Sequence, residues 1–325
     1  MSDTQEKPQL RGQALNWGER PRTWTERLVY PFEYALFRAM MGLFWMLGLE
    51  RASDFGGWIA RTFGPKIPVS RRAHRNLKLA MPELTREQRD AIVLKMWDNL
   101  GRTFAEYPHH DKFWALKDGA RIEIDGVEHV KSAVAKGKGG FFVSGHFANW
   151  EMMPMCIRYF GLEGGIVYRA PNNPYVDAWI TQQRRDHGLP NLAPKGAEGA
   201  KVIIQLLRRK AFLAMLVDQK MNNGISVPFF GHPAMTTQAA ASLSLKYGAP
   251  IVAVKNERLP GQRFRVTAYP EIAIEPTGDK DKDIYALTLK LNQFLEARIR
   301  EAPEMWLWLH SRWPKEATKG LDIDS

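Results

Sequence analysis

Residues 139–161 read GGFFVSGHFANWEMMPMCIRYFG, and the fold is decided there. Gly139 and Gly140 open an apolar, β-favouring run, Phe141-Phe142-Val143, that reads as a short buried strand. Ser144 and Gly145 break it. Asn149 is a good helix cap, and Trp150 to Tyr159 reads as helix, with Pro154 blurring where its first turn begins. A strand that ends at a helix N-terminus is where α/β proteins place their ligands.

His146 and Glu151 lie in that break. Within one helix a five-residue step would set them about 140° apart, on different faces. They meet only if His146 is still in the turn and Glu151 in the first helical turn. The carboxylate would then accept from one imidazole nitrogen and leave the other as a general base. The helix N-terminus would favour neutral imidazole, and the carboxylate would oppose that. Such a dyad suits removing a proton from a hydroxyl that attacks an activated acyl group. The spacing by itself also fits a structural ion pair; the strand and the break before it make it a site candidate.

HFANWE resembles the H-x-x-x-x-(D/E) motif of glycerolipid acyltransferases, and the wider match is to the bacterial lipid A late acyltransferases. RNLKLAMPELTREQRDAIVLKMWDNLGRTFAE (75–106) resembles the helical region before that family's motif. Tyr168-Arg169 with PNNP, VDQ with VPFFG (217–231) and WLWLHSRW (306–313) follow in the family's order, so the resemblance covers roughly residues 70–313. It implies a membrane-associated enzyme at the cytoplasmic face of a bacterial inner membrane. The enzyme would move a fatty acyl chain from acyl carrier protein, with acyl-CoA as the alternative donor, to a hydroxyl of a phosphorylated glycolipid. It needs no cofactor and no metal. His146 takes the place of the family's base and Glu151 that of its acidic residue.

The chain has 325 residues, enough for a substantial core, and 45% hydrophobic residues, ordinary for a globular protein. Its single cysteine excludes an internal disulfide framework and a cysteine zinc cluster. A net charge of +11 implies attraction to something anionic: lipid headgroups, a phosphorylated substrate or an acidic carrier protein. No nucleic-acid-binding signature accompanies the charge.

Residues 1–21 are polar, punctuated by Pro and Gly, and lack the apolar core of a secretory signal. Residues 22–50 contain ALFRAMMGLFWMLGL and read as a hydrophobic membrane-anchor helix. Its length suits a span, but Glu33 and Arg38 interrupt it, so an amphipathic helix lying on the membrane fits as well. Residues 51–118 read as helical, with Arg71, Arg72, Arg75 and Lys78 as a basic cluster, Thr85 and Gln88 as a capping box, and Ile92, Met96, Leu100 and Phe104 as an apolar stripe. From 119 to 325 strands alternate with helices. This predicts an α/β catalytic domain with a mainly parallel sheet flanked by helices and its last two strands antiparallel.

Four further residues are candidates for substrate binding. Arg169 ends a strand, where arginine grips phosphate; the resemblance associates it with the acceptor. Asp218 ends FLAMLVD on the same sheet edge as His146, placed to bind substrate hydroxyls or to orient a basic residue. Gly231 shapes the VPFFG loop, whose phenylalanines either wall an acyl pocket or pack in the core. Asn149 lies inside the central motif. Gly145 and the amides after His146 are candidate oxyanion donors. His310 and Arg312 read mainly as structural support. Cys156 falls in an apolar helical stripe with Met153, Ile157 and Phe160, which argues for an inert thiol, and no G-x-S-x-G elbow appears. The dyad serves equally for an acceptor that is a lysophospholipid, ornithine lipid or other glycolipid. In a non-enzymatic basic membrane-binding protein it would be only structural.

Overall fold

Short β-branched and aromatic runs separated by amphipathic helices can bury their strands on both faces only if helices cover both sides of the sheet. A computed structural model, describing residues 23–113, 121–189, 191–194 and 196–323, has that form. The helices are α1 (Trp24–Leu47), α2 (Leu49–Phe63), α3 (Ser70–Ala80), α4 (Arg86–Glu106), α5 (His110–Phe113), α6 (Val127–Ala135), α7 (Met155–Tyr159), α8 (Pro174–Asp186), α9 (Ala197–Arg208), α10 (Ala239–Tyr247), α11 (Lys280–Glu301) and α12 (Lys315–Thr318). The strands are β1 (Ile122–Asp125), β2 (Gly140–Ser144), β3 (Gly164–Tyr168), β4 (Asn191–Pro194), β5 (Phe212–Leu216), β6 (Ile225–Phe229), β7 (His232–Thr236), β8 (Ile251–Leu259) and β9 (Arg263–Glu271). Seven form one sheet in the order β1-β9-β8-β2-β5-β3-β4, parallel throughout except for the β8–β9 hairpin.

The non-sequential order matters for the site. β2 pairs with β5, not with β3, and Ser144 lies opposite Leu216. Two residues further on, the same register sets His146 beside Asp218. One apolar cluster under the sheet gathers Phe141, Val143, Leu213 and Met215; the opposite face gathers Phe142, Ala214, Ile166 and Cys156. Alternate residues of β2 and β5 thus divide between two cores.

The capping box at Thr85 and Gln88 forms at the start of α4. Its stripe holds through Ile92 and Met96, which are buried, and fades at Phe104, which is exposed. Two predicted elements differ. Trp150–Tyr159 is not one helix: a 3₁₀ turn, Trp150–Met152, precedes the short α7, because Pro154 cannot donate within a continuous helix. VPFFG is not a loop. It is β6 of a two-stranded hairpin with β7, turning at Phe230 and Gly231, both with positive φ.

The expected 1–21 segment and the 118/119 boundary lie outside the described residues. The helices before that boundary pack directly on the α/β part. Asn76 of α3 donates to the carbonyls of Trp308 and His310, each at 2.7 Å, and Phe37 of α1 meets Trp179 of α8 edge-on at 5.2 Å. Among the described residues no helix is long and apolar enough to cross a membrane. α1 is two-faced instead: Met41 and Phe44 are buried, whereas Leu28, Phe32, Leu36 and Leu43 form an exposed apolar stripe.

Candidate active site

The chain between His146 and Ala148 turns sharply, with Ala148 at φ 46°, and is stitched to the C-terminal segment. Ala148 N–H donates to the Met305 carbonyl at 2.8 Å, and Leu307 N–H donates to the His146 carbonyl at 3.2 Å. The Ala148 carbonyl accepts from Asn99 at 3.1 Å and Thr103 at 3.3 Å, both on α4. A strained non-glycine backbone of this kind persists only where its surroundings fix it.

That turn aims His146 at Asp218. Nδ1 of His146 lies 2.8 Å from Asp218 Oδ1, and the His146 backbone N–H donates to Oδ2 at 2.8 Å. The Trp306 indole N–H donates to the same Oδ2 at 2.7 Å. Asp218 is fully buried. Burial pushes its carboxyl pKa up, but the His146 imidazole and backbone N–H, with His310 nearby, outweigh it and hold the group below the usual carboxylate range. An ionised Asp218 on Nδ1 puts the imidazole proton there and leaves Nε2 as a lone pair facing the cleft.

Glu151 is not the partner of His146, which corrects the expected dyad. The 3₁₀ turn carries its carboxylate to α8, where Arg184 grips it at 2.7 and 3.1 Å. The Tyr107 hydroxyl also hydrogen-bonds it. Burial would raise the Glu151 pKa, but Arg184 overrides it and holds the group at about 2. The neighbouring His110 imidazole is pushed down to about 3 by burial and so stays neutral.

A cleft of about 420 Å³ opens at the carboxyl ends of β2, β3 and β5. His146, Trp150, Glu151, Tyr168, Arg169, Asn172, Arg184, Gln219 and His310 supply its polar lining, and Met153, Ile166, Ala214 and Leu216 its apolar floor. Gln219 sits between two histidines, its amide nitrogen 3.1 Å from Nε2 of His146 and 3.1 Å from Nε2 of His310.

Of the other expected residues, Arg169 lines the cleft, exposed at the end of β3. Asn149 does not: it is buried, donating to Glu106 at 2.9 Å and accepting from the Glu151 N–H at 3.2 Å, which makes it a brace of the turn. Gly231 is likewise absent from the lining and serves the β6–β7 turn. Phe229 and Phe230 pack against Trp306, Trp308 and Trp313 rather than walling the cleft. The backbone amides of 146–148 are engaged, His146 with Asp218, Phe147 with the Gly145 carbonyl and Ala148 with that of Met305. Arg312 is buried structural support, donating to Thr236 at 2.8 Å and stacked over Phe229. The Cys156 thiol is buried and pushed up to about 12. Sequence reasoning missed Gln219, Arg184, Tyr107 and Trp306. Gln219 follows Asp218 directly, and Trp306 opens WLWLHSRW, so those two had a local signal; Tyr107 and Arg184 had none.

The chain is similar in sequence to several acyltransferases. The lipid A biosynthesis lauroyltransferase of Escherichia coli (strain K12) is 29% identical over 255 residues, 75% of this chain and 80% of that protein. The palmitoleoyltransferase of the same organism is 26% identical over 255 residues, 74% of this chain and 77% of that protein. A phosphatidylinositol mannoside acyltransferase of Mycobacterium tuberculosis (strain ATCC 25618 / H37Rv) is 24% identical over 307 residues, 92% of this chain and 93% of that protein. The profile of one family matches residues 24–315. The chain therefore belongs to the bacterial lipid A biosynthesis acyltransferase family.

Proposed function

We propose that this protein transfers a fatty acyl chain from the thioester of acyl-acyl carrier protein to a hydroxyl of a lipid A precursor at the cytoplasmic face of a bacterial inner membrane. The observation that carries the chemistry is the Asp218–His146 pair, 2.8 Å apart, with Nε2 turned to the cleft. Asp218 holds the proton on Nδ1 and stabilises the imidazolium that forms. Nε2 takes the proton of the acceptor hydroxyl as its oxygen attacks the acyl carbon. The C–S bond then breaks, and the carrier thiolate receives that proton from His146. Glu151 and Arg184 form a rigid wall beside the base, and Arg169, exposed at the cleft, suits an acceptor phosphate.

The exposed stripe of α1 supports an interfacial seat on an anionic membrane, with Arg27 and Arg38 on the same helix. Asn173, just beyond the cleft-lining loop, donates to the Tyr30 carbonyl and to Glu33 of α1 at 2.9 and 3.0 Å, so the helix and the cleft are joined. A second reading keeps the chemistry and changes the acceptor to a phosphatidylinositol mannoside or another glycolipid. It is favoured by the mycobacterial relatives, which align over 92% of the chain.

The test is mass spectrometry of total glycolipid from cells with the gene intact, deleted, and restored as His146→Ala. Lipid A lacking one acyl chain in both altered strains is expected. Unchanged lipid A with another glycolipid under-acylated would move the acceptor, and no change in any lipid would contradict the reading.

A further inference from the structure

The acyl-transfer reading requires a donor for the developing oxyanion, and the backbone amides of 146–148 are already used inside the protein. Two amide side chains line the cleft, Asn172 and Gln219, and Gln219 is the one that reaches Nε2 of His146. We propose that Gln219 is a catalytic hydrogen-bond donor: it caps Nε2 of His146 before the acceptor arrives and, once displaced, holds the oxyanion from its anchor on His310. The inference rests on the function proposed above.

Three observations carry it. First, the orientation of the amide is chemically determined. Asp218 fixes the proton of His146 on Nδ1, so Nε2 is a lone pair and must face an N–H rather than a carbonyl oxygen. Second, the same nitrogen lies 3.1 Å from Nε2 of His310, so the amide sits between the two imidazoles. The two rings meet edge-to-face at 4.9 Å. Third, the capped lone pair is the one the reaction needs. A hydroxyl that binds Nε2 must take the place of one Gln219 N–H and leaves the other on His310.

The freed N–H then lies beside the attacking oxygen, and the acyl carbonyl oxygen arrives on the carbon that this oxygen attacks. As the O–C bond forms, the carbonyl π pair moves onto that oxygen while the hydroxyl proton goes to Nε2. Gln219 donates to the resulting oxyanion. Collapse re-forms the carbonyl, breaks the C–S bond and returns the proton to the thiolate, so Gln219 gains and loses nothing. In the free enzyme that N–H is spent on His146; once released it donates more strongly to the oxyanion than to the neutral carbonyl oxygen of the bound thioester. It therefore stabilises the transition state selectively. Other donors line the cleft, among them the Trp150 indole, the Tyr168 hydroxyl, the Arg169 guanidinium and the Asn172 amide, and they are the rivals the experiment must exclude.

Gln219→Glu keeps the shape and removes both N–H groups; Gln219→Met removes the polar head. In a thiol-release assay with acyl-acyl carrier protein and purified glycolipid, each is expected to lose about 10²–10³-fold in kcat with KM for either substrate nearly unchanged. His310→Phe, which removes the anchor, is expected to lose about tenfold in the same parameter. Near-normal kcat in Gln219→Glu, or a rise in KM alone, overturns the oxyanion role and points to one of those other donors. A second readout needs no turnover: in ¹⁵N-histidine-labelled protein, Gln219→Met should displace the Nε2 resonances of His146 and His310. Unmoved resonances overturn the cap. Thiol release absent from the unaltered enzyme would refute the acyl-transfer reading and the oxyanion role together, while the resonances would still decide the cap.

Discussion

Asp218 and Glu151 are both buried carboxylates near one cleft, and they are held in opposite ways. Asp218 faces an imidazole, an indole N–H and a backbone N–H, partners that orient a base without cancelling its chemistry. Glu151 faces a guanidinium that neutralises it permanently. The residue five positions from His146 thus became a wall, and the residue 72 positions away became its partner. Proximity along the chain is a poor guide where two strands far apart in sequence pair in register.

The largest expected effect separates the two carboxylates directly. Asp218→Asn offers an amide to Nδ1 and stabilises the wrong tautomer, so kcat should fall by ~10⁴ with the far-ultraviolet circular dichroism unchanged. Steady-state thiol release measures it; a loss below tenfold would remove Asp218 from the mechanism.

Next comes the ion pair. Arg184→Met leaves the Glu151 carboxylate buried and uncompensated, and thermal or urea unfolding should show a loss of about 3–5 kcal/mol. The double variant Glu151→Leu/Arg184→Met should recover most of it, because neither charge then needs a partner. If the double variant is as unstable as the single, the pair is not the source of the stability.

The same pair has a pH signature. Glu151 is held at about 2 in the folded protein against an ordinary 4.5, so its stabilisation is full above about pH 4.5 and disappears as pH falls toward 2. Asp218, also depressed, adds to the same slope. Unfolding midpoints followed from pH 5 to 2.5 should fall less steeply in Arg184→Met than in the unaltered protein. Equal slopes would show that Arg184 does not set the Glu151 titration.

The smallest effect concerns a residue outside both arrangements. Cys156 is buried with its thiol pushed up to about 12. Cys156→Ala should keep kcat within about threefold, and the native thiol should resist alkylation at pH 8. Rapid alkylation with loss of activity would reopen a covalent acyl-enzyme.

The periodicities that reveal strands and helices are local, and so the mainly parallel sheet, the antiparallel β8–β9 pair and the capping box of α4 were legible in the sequence. The strand order was not, because the pairing of β2 with β5 depends on how α7, α8 and α9 cross over. Without it Asp218 could be placed on the right sheet edge but not on His146. Pro154 warned that the helix after the motif was irregular, and the resulting 3₁₀ turn is what sends Glu151 toward α8. The β6–β7 hairpin hid in VPFFGH, where Pro228 disguises an edge strand and Phe230 takes a positive φ that favours glycine. The α1 stripe was visible as apolar sequence, but only the packing of Met41 and Phe44 shows which face remains exposed.

The most direct measurement of the central claim, that Asp218 orients His146, is the Nδ1–H proton resonance of His146 in ¹⁵N-histidine-labelled protein. A downfield signal, coupled to Nδ1, should persist in Glu151→Gln and vanish in Asp218→Ala. A signal that survives Asp218→Ala and vanishes in Glu151→Gln would contradict the account.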